Sequence, residues 1–358
     1  MRGDWDAHIC KTVQRKNTVL FMKFLVTGGT GFIGARVVVN LWERKIPVVV
    51  ADLNLNIEWT KQIALLKYKN DETKLAELEE QIGKTTFIEL DVSDRGAVNN
   101  VFLTYPDITH VIHLAYLMSA EVEADHYRGA SVNILGMVNM FDMVVDHKLA
   151  RLVFASSETI YGANHSAYGD EDYAIKEDDF CSLDDHFYTY GVMKMLNEFT
   201  AKKYIQTKGA SIASMRPPVV YGDGRMRGSV LWACEFATNP ALGKEVKLPF
   251  SKHARDCWIY VDDVAEQFVR LTLKPELKYF AYNNGGHSVT AEELMQTVAN
   301  IVPDARYEFN ESVQRTSLVD RCDGARLEEE IGFTPRSLAN GVRAQIEEAR
   351  NRQLQTVY

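Results

Sequence analysis

The sequence predicts an α/β fold, a doubly wound parallel sheet covered by helices on both faces, with a smaller mixed region at its C-terminal end. Three observations carry this. Short apolar runs alternate with helical periodicity from Lys23 to about Met215, the pattern of parallel strands buried on both sides and joined by crossover helices. A glycine triplet, Gly28, Gly31 and Gly34, joins the first run to the first helical stretch. Beyond Arg216 the alternation loosens into segments rich in proline, glycine and short mixed runs.

Phe24, Leu25 and Val26 form the first run, read as a buried strand, and Phe32–Trp42 the first helix. Glycines spaced G-x-x-G-x-x-G allow a tight strand-to-helix turn, close approach of backbone to a pyrophosphate, and close helix–sheet packing. Phe32 and Ile33 open a helix whose free N–H groups and partial positive charge face the phosphates. The next run, Pro47–Ala51, ends in Asp52, roughly 20 residues on, where a carboxylate holds a ribose 2′-hydroxyl. With no arginine beside it, that acid favours NAD over NADP, because it repels a 2′-phosphate.

Glu58–Ile82 is rich in Lys and Glu, with Ile63, Leu66, Leu75, Leu78 and Ile82 at roughly helical spacing. It reads as one or two amphipathic helices, either an inserted surface element or a partner-binding one. Thr86–Leu90 reads as a strand ending at Asp91, Arg95–Tyr105 as a helix and His110–Ala115 as a strand. Val132–Lys148 carries helical periodicity and Leu152–Ser156 is another buried strand. Further on, Thr238–Phe250 reads as loop and short strand. Asp262–Leu273 and Ala291–Ile301 read as helices, and Gly324–Arg352 as mostly helical. The division that follows is an extension over 1–21, a cofactor domain over 22–216 and a substrate region over 217–358, with 255–273 rejoining the core.

The chain has 358 residues, 46% of them hydrophobic and 25% charged, ordinary values for a globular protein with ample core. A net charge of −9 gives no support for nucleic-acid or anionic-membrane binding. No apolar run approaches the roughly 18 residues of a membrane span, and Met1–Phe21 is polar and mixed in charge, unlike a signal peptide. Cys10, Cys181, Cys234, Cys257 and Cys322 are scattered without a C-x-x-C pair. That usage points to a reducing, cytoplasmic setting and to no metal site.

The strand Leu152–Ser156 runs into A-S-S-E-T-I-Y-G, Ala155–Gly162. Ligands of a doubly wound sheet sit beyond the carboxyl ends of its strands, so Ser156, Ser157 and Thr159 face the crevice. Tyr190 and Lys194 fall at i, i+4 on one helix face. An ammonium beside a phenol favours the phenolate and suits the tyrosine to general acid–base work. Tyr204 and Lys208 repeat the spacing, but Tyr190 heads its helix and follows the Ser157 strand closely, whereas Tyr204 lies turns later and reads as a surface-helix residue.

Gly28, Gly31, Gly34, Asp52, His113-Leu114-Ala115, Ser157, Tyr190 and Lys194 together resemble an extended short-chain dehydrogenase/reductase. R-P-P-V-V-Y-G (Arg216–Gly222), R-D-C-W-I-Y-V-D-D-V-A (Arg255–Ala265) and A-R-L-E-E-E-I-G-F-T-P-R (Ala325–Arg336) resemble blocks of its NAD-dependent epimerase/dehydratase branch. The resemblance implies a Rossmann-type cofactor domain in which Tyr190 exchanges a proton with a substrate oxygen, Ser157 hydrogen-bonds that oxygen, and Lys194 holds the nicotinamide ribose. It implies that Asp91 and Val92 flank the adenine and that Leu114 and Ala115 line the cofactor trough. Asn133 is then either a support residue or a plain helix-surface amide, and His113 a packed strand residue. The resemblance also implies a homodimer through a four-helix contact.

Departures from the branch narrow the reaction. Sugar dehydratases carry Asp-Glu where Glu158 and Thr159 stand, so dehydration is not expected, and S-S-x-T-x-Y-G is closer to sugar 4-epimerases. Nucleotide-sugar enzymes usually have Asn where Val219 stands, and a glycine-rich stretch where this chain has Leu248-Pro-Phe-Ser-Lys-His253. Arg255 and Arg315 are either a substrate diphosphate clamp or ordinary ion-paired residues. Asp262 and Asp263 are expected to cap and begin a helix, and Asp170–Asp185 to form a solvated lid before Tyr190. The function expected is NAD-dependent hydride transfer at a secondary alcohol or ketone of a sugar, nucleotide sugar or sugar derivative. Three outcomes stand: an epimerase that retains NADH, a dehydrogenase that releases it on a non-nucleotide small alcohol or ketone, and a non-catalytic NAD-sensing protein.

Overall fold

A computed structural model describes residues 22–356, apart from Glu171, Met226, Ser229 and Ser317; the extension read over 1–21 lies outside the described residues. In chain order the elements of the first half are β1 (Phe24–Thr27), α1 (Phe32–Glu43), β2 (Val48–Asp52), α2 (Ile57–Tyr68), α3 (Glu72–Lys84), β3 (Thr86–Glu89), α4 (Arg95–Thr104), β4 (His110–His113), α5 (Ser119–Ala124), α6 (His126–Ala130), α7 (Gly136–Asp146), β5 (Arg151–Ala155), α8 (Thr189–Lys208) and β6 (Ile212–Arg216). The second half adds β7 (Val219–Tyr221), α9 (Trp232–Ala241), β8 (Val246–Leu248), β9 (Arg255–Tyr260), α10 (Val261–Leu273), β10 (Ala281–Asn283), β11 (His287–Thr290), α11 (Ala291–Ala299), β12 (Tyr307–Phe309), α12 (Ala325–Ile331) and α13 (Leu338–Thr356).

Seven parallel strands form the main sheet in the order β10-β6-β5-β4-β1-β2-β3. Successive side chains of a strand point to opposite faces, and here both faces are covered. Phe24, Val26, Val48, Val50 and Val153 enter a core shared with α1, α2 and α10, whereas Leu25, Val49, Leu152 and Phe154 enter one shared with α4 and α7. Continuous apolar strands are therefore what the architecture requires. β11, β9 and β7 form a second sheet, and β12 pairs with β8 in a third.

The Lys/Glu-rich stretch folds as two helices. Asn56 caps α2 and Asp71 caps α3 by accepting from Trp59 N and Lys74 N, and Ile63, Ala64 and Leu78 pack into the α1 core. The helical periodicity over 132–148 falls on a π turn, Ser131–Leu135, that runs directly into α7.

Over 238–250 the expected loop and short strand are found as the turn after residue 241 and β8, but residues 238–241 are the end of α9, which begins at Trp232. Pro240 sits in its last turn and leaves the Phe236 carbonyl without its helical donor. The Tyr307 hydroxyl, from β12, donates to that oxygen at 2.5 Å, so a distant residue repairs the break that proline signals locally. α10 packs on α1, and β10 completes the main sheet beside β6. Asp262 and Asp263 lie in the first turn of α10 and pair with Arg36 and Arg336, but neither caps it: the N-cap is Tyr260, with no side-chain hydrogen bond.

Candidate active site

The turn after β1 is shaped for close backbone approach. Gly28 has φ +66°, and a Cβ there would lie 2.7 Å from Ala115 N and from the Leu114 carbonyl carbon. The Leu114–Ala115 segment after β4 thus passes directly against the turn. A Cβ on Gly34 would fall 2.0 Å from the Gly28 oxygen. Gly34→Ala is therefore expected to break the turn and abolish dinucleotide binding, which a fluorescence titration with NADH would detect. Gly31 caps α1 with no side-chain hydrogen bond, and no acid lies in the first helical turn. Free N–H groups and a concave backbone surface remain there for a pyrophosphate.

Asp52 ends β2 beside this turn. Its Oδ2 accepts from Thr30 N at 3.1 Å and from the Thr30 hydroxyl at 3.0 Å, which fixes the carboxylate next to the triplet. These residues fit an NAD molecule lying across the carboxyl ends of β1 and β2. Asp91 follows β3 and accepts from Ser93 N and Oγ and, at 2.8 Å, from Arg128. Burial pushes its pKa up, but the Ser93 and Arg128 bonds outweigh this and leave it below the usual aspartate value. Val92 is buried beside it.

At the end of β5, Ser157 caps a short 3₁₀ turn, Glu158–Tyr161, by accepting from Thr159 N at 3.2 Å. α8 then brings Tyr190 and Lys194, both buried, to the same place. Lys194 Nζ donates to Ala155 O at 2.5 Å, the last residue of β5. Burial holds Tyr190 up at about 12, while Arg225 and then the Ser157 hydroxyl pull it down.

The Lys194 ammonium expected beside Tyr190 does reach its ring, and lies closer still to a second one. Lys194 Nζ lies 3.3 Å from the Tyr116 ring centroid and 5.3 Å from that of Tyr190, and burial drives its own pKa well below the usual lysine value. Arg225 is a further cation that pulls the Tyr190 pKa down. Its guanidinium hydrogen-bonds the carbonyls of Val220 at 2.9 Å and Arg227 at 3.3 Å and lies 5.7 Å from the Phe32 ring centroid. Sequence reasoning missed it, although D-G-R after the Y-G of β7 placed it in a tight loop, with Gly224 at φ +87°.

Asn133 is fully buried in the π turn. Its amide pairs with both Leu117 N (2.8 Å) and Leu117 O (3.0 Å), and its backbone carbonyl accepts from Asn197 at 2.9 Å. Asn197 also donates to the Tyr116 hydroxyl, and Tyr116 meets Tyr190 edge-on at 5.4 Å. Tyr190, Lys194 and Asn197 stand at i, i+4 and i+7, a signal that would have found Asn197 too. His113 is a packed residue: its Nδ1 lies 2.6 Å from the Thr27 hydroxyl, and burial, then Lys194, depress its pKa to about 3.

Arg255 and Arg315 are both engaged within the chain. Arg255 donates to Ser288 O at 2.9 Å and lies 3.7 Å from Glu293; Arg315 pairs with Asp320 at 2.8 Å. Among the described residues no group of three His, Cys, Asp or Glu could hold a metal ion, and no helix is long and apolar enough to cross a membrane.

A glycine turn with an uncapped helix, an acid at the end of β2, and Ser, Tyr and Lys gathered beyond β5 define a dinucleotide-dependent enzyme class. Residues 24–285 match the model of the NAD dependent epimerase/dehydratase family, and the chain belongs to that family. It is 32% identical to human UDP-glucose 4-epimerase over 146 residues, covering 39% of this chain but only 38% of the human protein. It is 26% identical to UDP-glucuronate 4-epimerase of Thermodesulfobacterium geofontis over 287 residues, 78% of this chain and 80% of that protein. A solved UDP-glucose 4-epimerase of Thermus thermophilus in complex with NAD superposes with TM-score 0.68 at 26% identity, over 92% of this chain and 99% of that one. NAD is the cofactor of the family, and the glycine turn and Asp52 fit it.

Proposed function

We propose that this chain catalyses NAD-dependent hydride transfer at a secondary carbinol or ketone of a sugar or nucleotide-sugar-like substrate, acting as an epimerase. Residues 22–216 hold NAD and residues 217–358 contribute the substrate face, with 255–273 built into the core. Gly28, Gly31, Phe32, Ile33 and Gly34 hold the pyrophosphate and Asp52 the adenosine ribose. Asp91, Val92, Leu114 and Ala115 line the rest of the trough. Bound NAD supplies a reversible hydride acceptor. Tyr190 moves the proton of the substrate hydroxyl, Ser157 hydrogen-bonds the same oxygen as charge develops on it, and Lys194 orients the cofactor ribose. Thr159, Arg255 and Arg315 remain candidates for substrate contact. The convergence of Ser157, Tyr190 and Lys194 at the end of β5 carries this reading. Glu158–Thr159 in place of an Asp-Glu pair supports epimerisation over loss of water.

The first test is to denature the purified protein, identify any released dinucleotide, and assay the native protein with added NAD against sugars and nucleotide sugars. Retained NAD with sugar interconversion and no free NADH supports the epimerase; accumulation of free NADH supports a dehydrogenase. Asp52→Ala removes charge-assisted hydrogen bonds to the ribose and is expected to weaken NAD by about tenfold or more while leaving NADP little changed. A native preference for NADP, in the same titration, would sink the Asp52 assignment. We further propose a cytoplasmic homodimer formed through the π turn, α7 and α8, where Leu135 of the π turn and Leu196 and Phe199 of α8 are exposed. Light scattering reads that directly, with a monomer mass as the contrary result.

A further inference from the structure

The two Y-x-x-x-K pairs of α8 hold their lysines differently. Lys208 lies over the ring of its own partner, with Nζ 4.2 Å from the Tyr204 centroid, the neighbour that i, i+4 spacing provides. Lys194 lies 5.3 Å from the Tyr190 centroid but only 3.3 Å from that of Tyr116, which comes from the stretch after β4 that follows Ala115. Lys194 is 1% exposed, and a buried ammonium is costly unless its charge is met. The acid that acts on it, Glu198 of the same helix, is taken up by Arg216 of β6. His113 of β4 also faces it, held neutral by burial. The direct partners of the ammonium are Ala155 O of β5, at 2.5 Å, and the face of Tyr116. An aromatic face attracts a cation most strongly where water is excluded.

Tyr116 is itself fixed from three sides. Asn197 of α8 donates to its hydroxyl at 3.1 Å, Tyr190 meets its ring edge-on, and the Asn133 amide clamps the N and O of the next residue, Leu117. Burial, then Tyr190, hold its phenol well above the usual 10, with Asn197 opposing, so the surface offered to Lys194 is a neutral ring. An ammonium carries three donors. Ala155 O and the ring take two of them, which leaves one for a ribose hydroxyl.

We propose that Tyr116 is a positioning residue of the active site: its ring face seats the Lys194 ammonium, keeps it charged in a dry setting, and so readies it for the cofactor ribose. The seat stands on the contacts around Tyr116; its use for the ribose rests on the hydride-transfer reading.

The experiment titrates Lys194 directly. The full chain, stripped of dinucleotide, carries lysine labelled with ¹³C at Cε, and the Lys194 resonance is assigned by its loss in Lys194→Arg. Tyr116→Phe keeps the face and removes only the hydroxyl, so its midpoint should stay within a few tenths of a unit of the native one. Pentafluorophenylalanine at position 116 keeps the shape of the ring but not its negative face, and should lower the midpoint by about one pH unit or more. Tyr116→Leu should lower it as well. NADH fluorescence titrations across pH read the consequence: affinity should fall away at correspondingly lower pH in these two variants, and at the native pH in Tyr116→Phe. A native midpoint in the pentafluorophenylalanine protein overturns the proposal. So does an equal shift in Tyr116→Phe, which would place the effect in the bond to Asn197. A lowered Lys194 midpoint with the native pH dependence of NADH binding would leave the seat standing and sink the ribose role of Lys194.

Discussion

Tyr190→Phe is expected to lower turnover by about 10²–10⁴-fold, the usual contribution of a positioned general acid–base group, while NAD affinity stays within a few-fold. The substitution removes only the hydroxyl: the ring remains buried and edge-on to Tyr116, and the glycine turn and Asp52 are untouched. Single-turnover kinetics separate the two quantities, and unchanged turnover would reassign the proton carrier. The same phenol predicts a pH profile. Burial raises it to about 12 and Arg225 opposes the rise, so removing that cation as Arg225→Gln must raise it further. The limb on which substrate oxidation accelerates with pH should move to higher pH in Arg225→Gln. A shift to lower pH, or none, would show that Arg225 does not act on Tyr190.

Local signals were enough for much of this site. Gly28 and Gly34 occupy positions where a Cβ would collide with backbone, so their spacing reports geometry directly. The apolar strands report burial on both faces, and Tyr190 and Lys194 report one helix face. What stayed hidden depends on partners far along the chain. The break signalled by Pro240 is undone by Tyr307, 67 residues later, by subtraction of the residue numbers. Lys194 also engages Ala155 O and Tyr116, from two other segments, contacts that its i, i+4 spacing from Tyr190 does not reveal. Thr159 reads in sequence as the missing dehydratase carboxylate and Glu158 only as its acidic neighbour; that Glu158 is buried is a tertiary fact. The seventh strand, β10, is three residues long and owes its place to pairing with β6, because so short a run carries no periodicity of its own.

Glu198→Ala is expected to cost about 3–5 kcal/mol of stability, the range for leaving one member of a buried ion pair uncompensated. Arg216, the first residue of R-P-P-V-V-Y-G, donates to both Glu198 oxygens, to the Tyr161 hydroxyl at 2.6 Å and to Glu177 O at 3.0 Å. Both Arg216 and Glu198 are buried, and Tyr161 passes the chain on to Asn283 of β10. The pair thus ties α8, which carries Tyr190 and Lys194, to the end of β6 and the edge of the sheet. Chemical denaturation reads the loss. Replacing Glu198 and Arg216 together by leucine and methionine should cost much less than Glu198→Ala, because no charge is then stranded; an equal cost would mean that packing, not charge, holds the joint. The pH dependence has a defined sign. Burial pushes Glu198 up, but Arg216 more than compensates and leaves it below the ordinary 4.5. Its contribution is therefore fully present above about 4.5 and is lost as pH falls through the lower folded-state value. Asp256, raised to about 8, works in the opposite sense: the folded state keeps a proton that the unfolded chain releases, so stability drains away as pH climbs from about 4 toward 8. Asp256→Asn should flatten that alkaline decline and leave the acid limb to Glu198, whereas a variant that changed the acid limb instead would place the buried proton elsewhere.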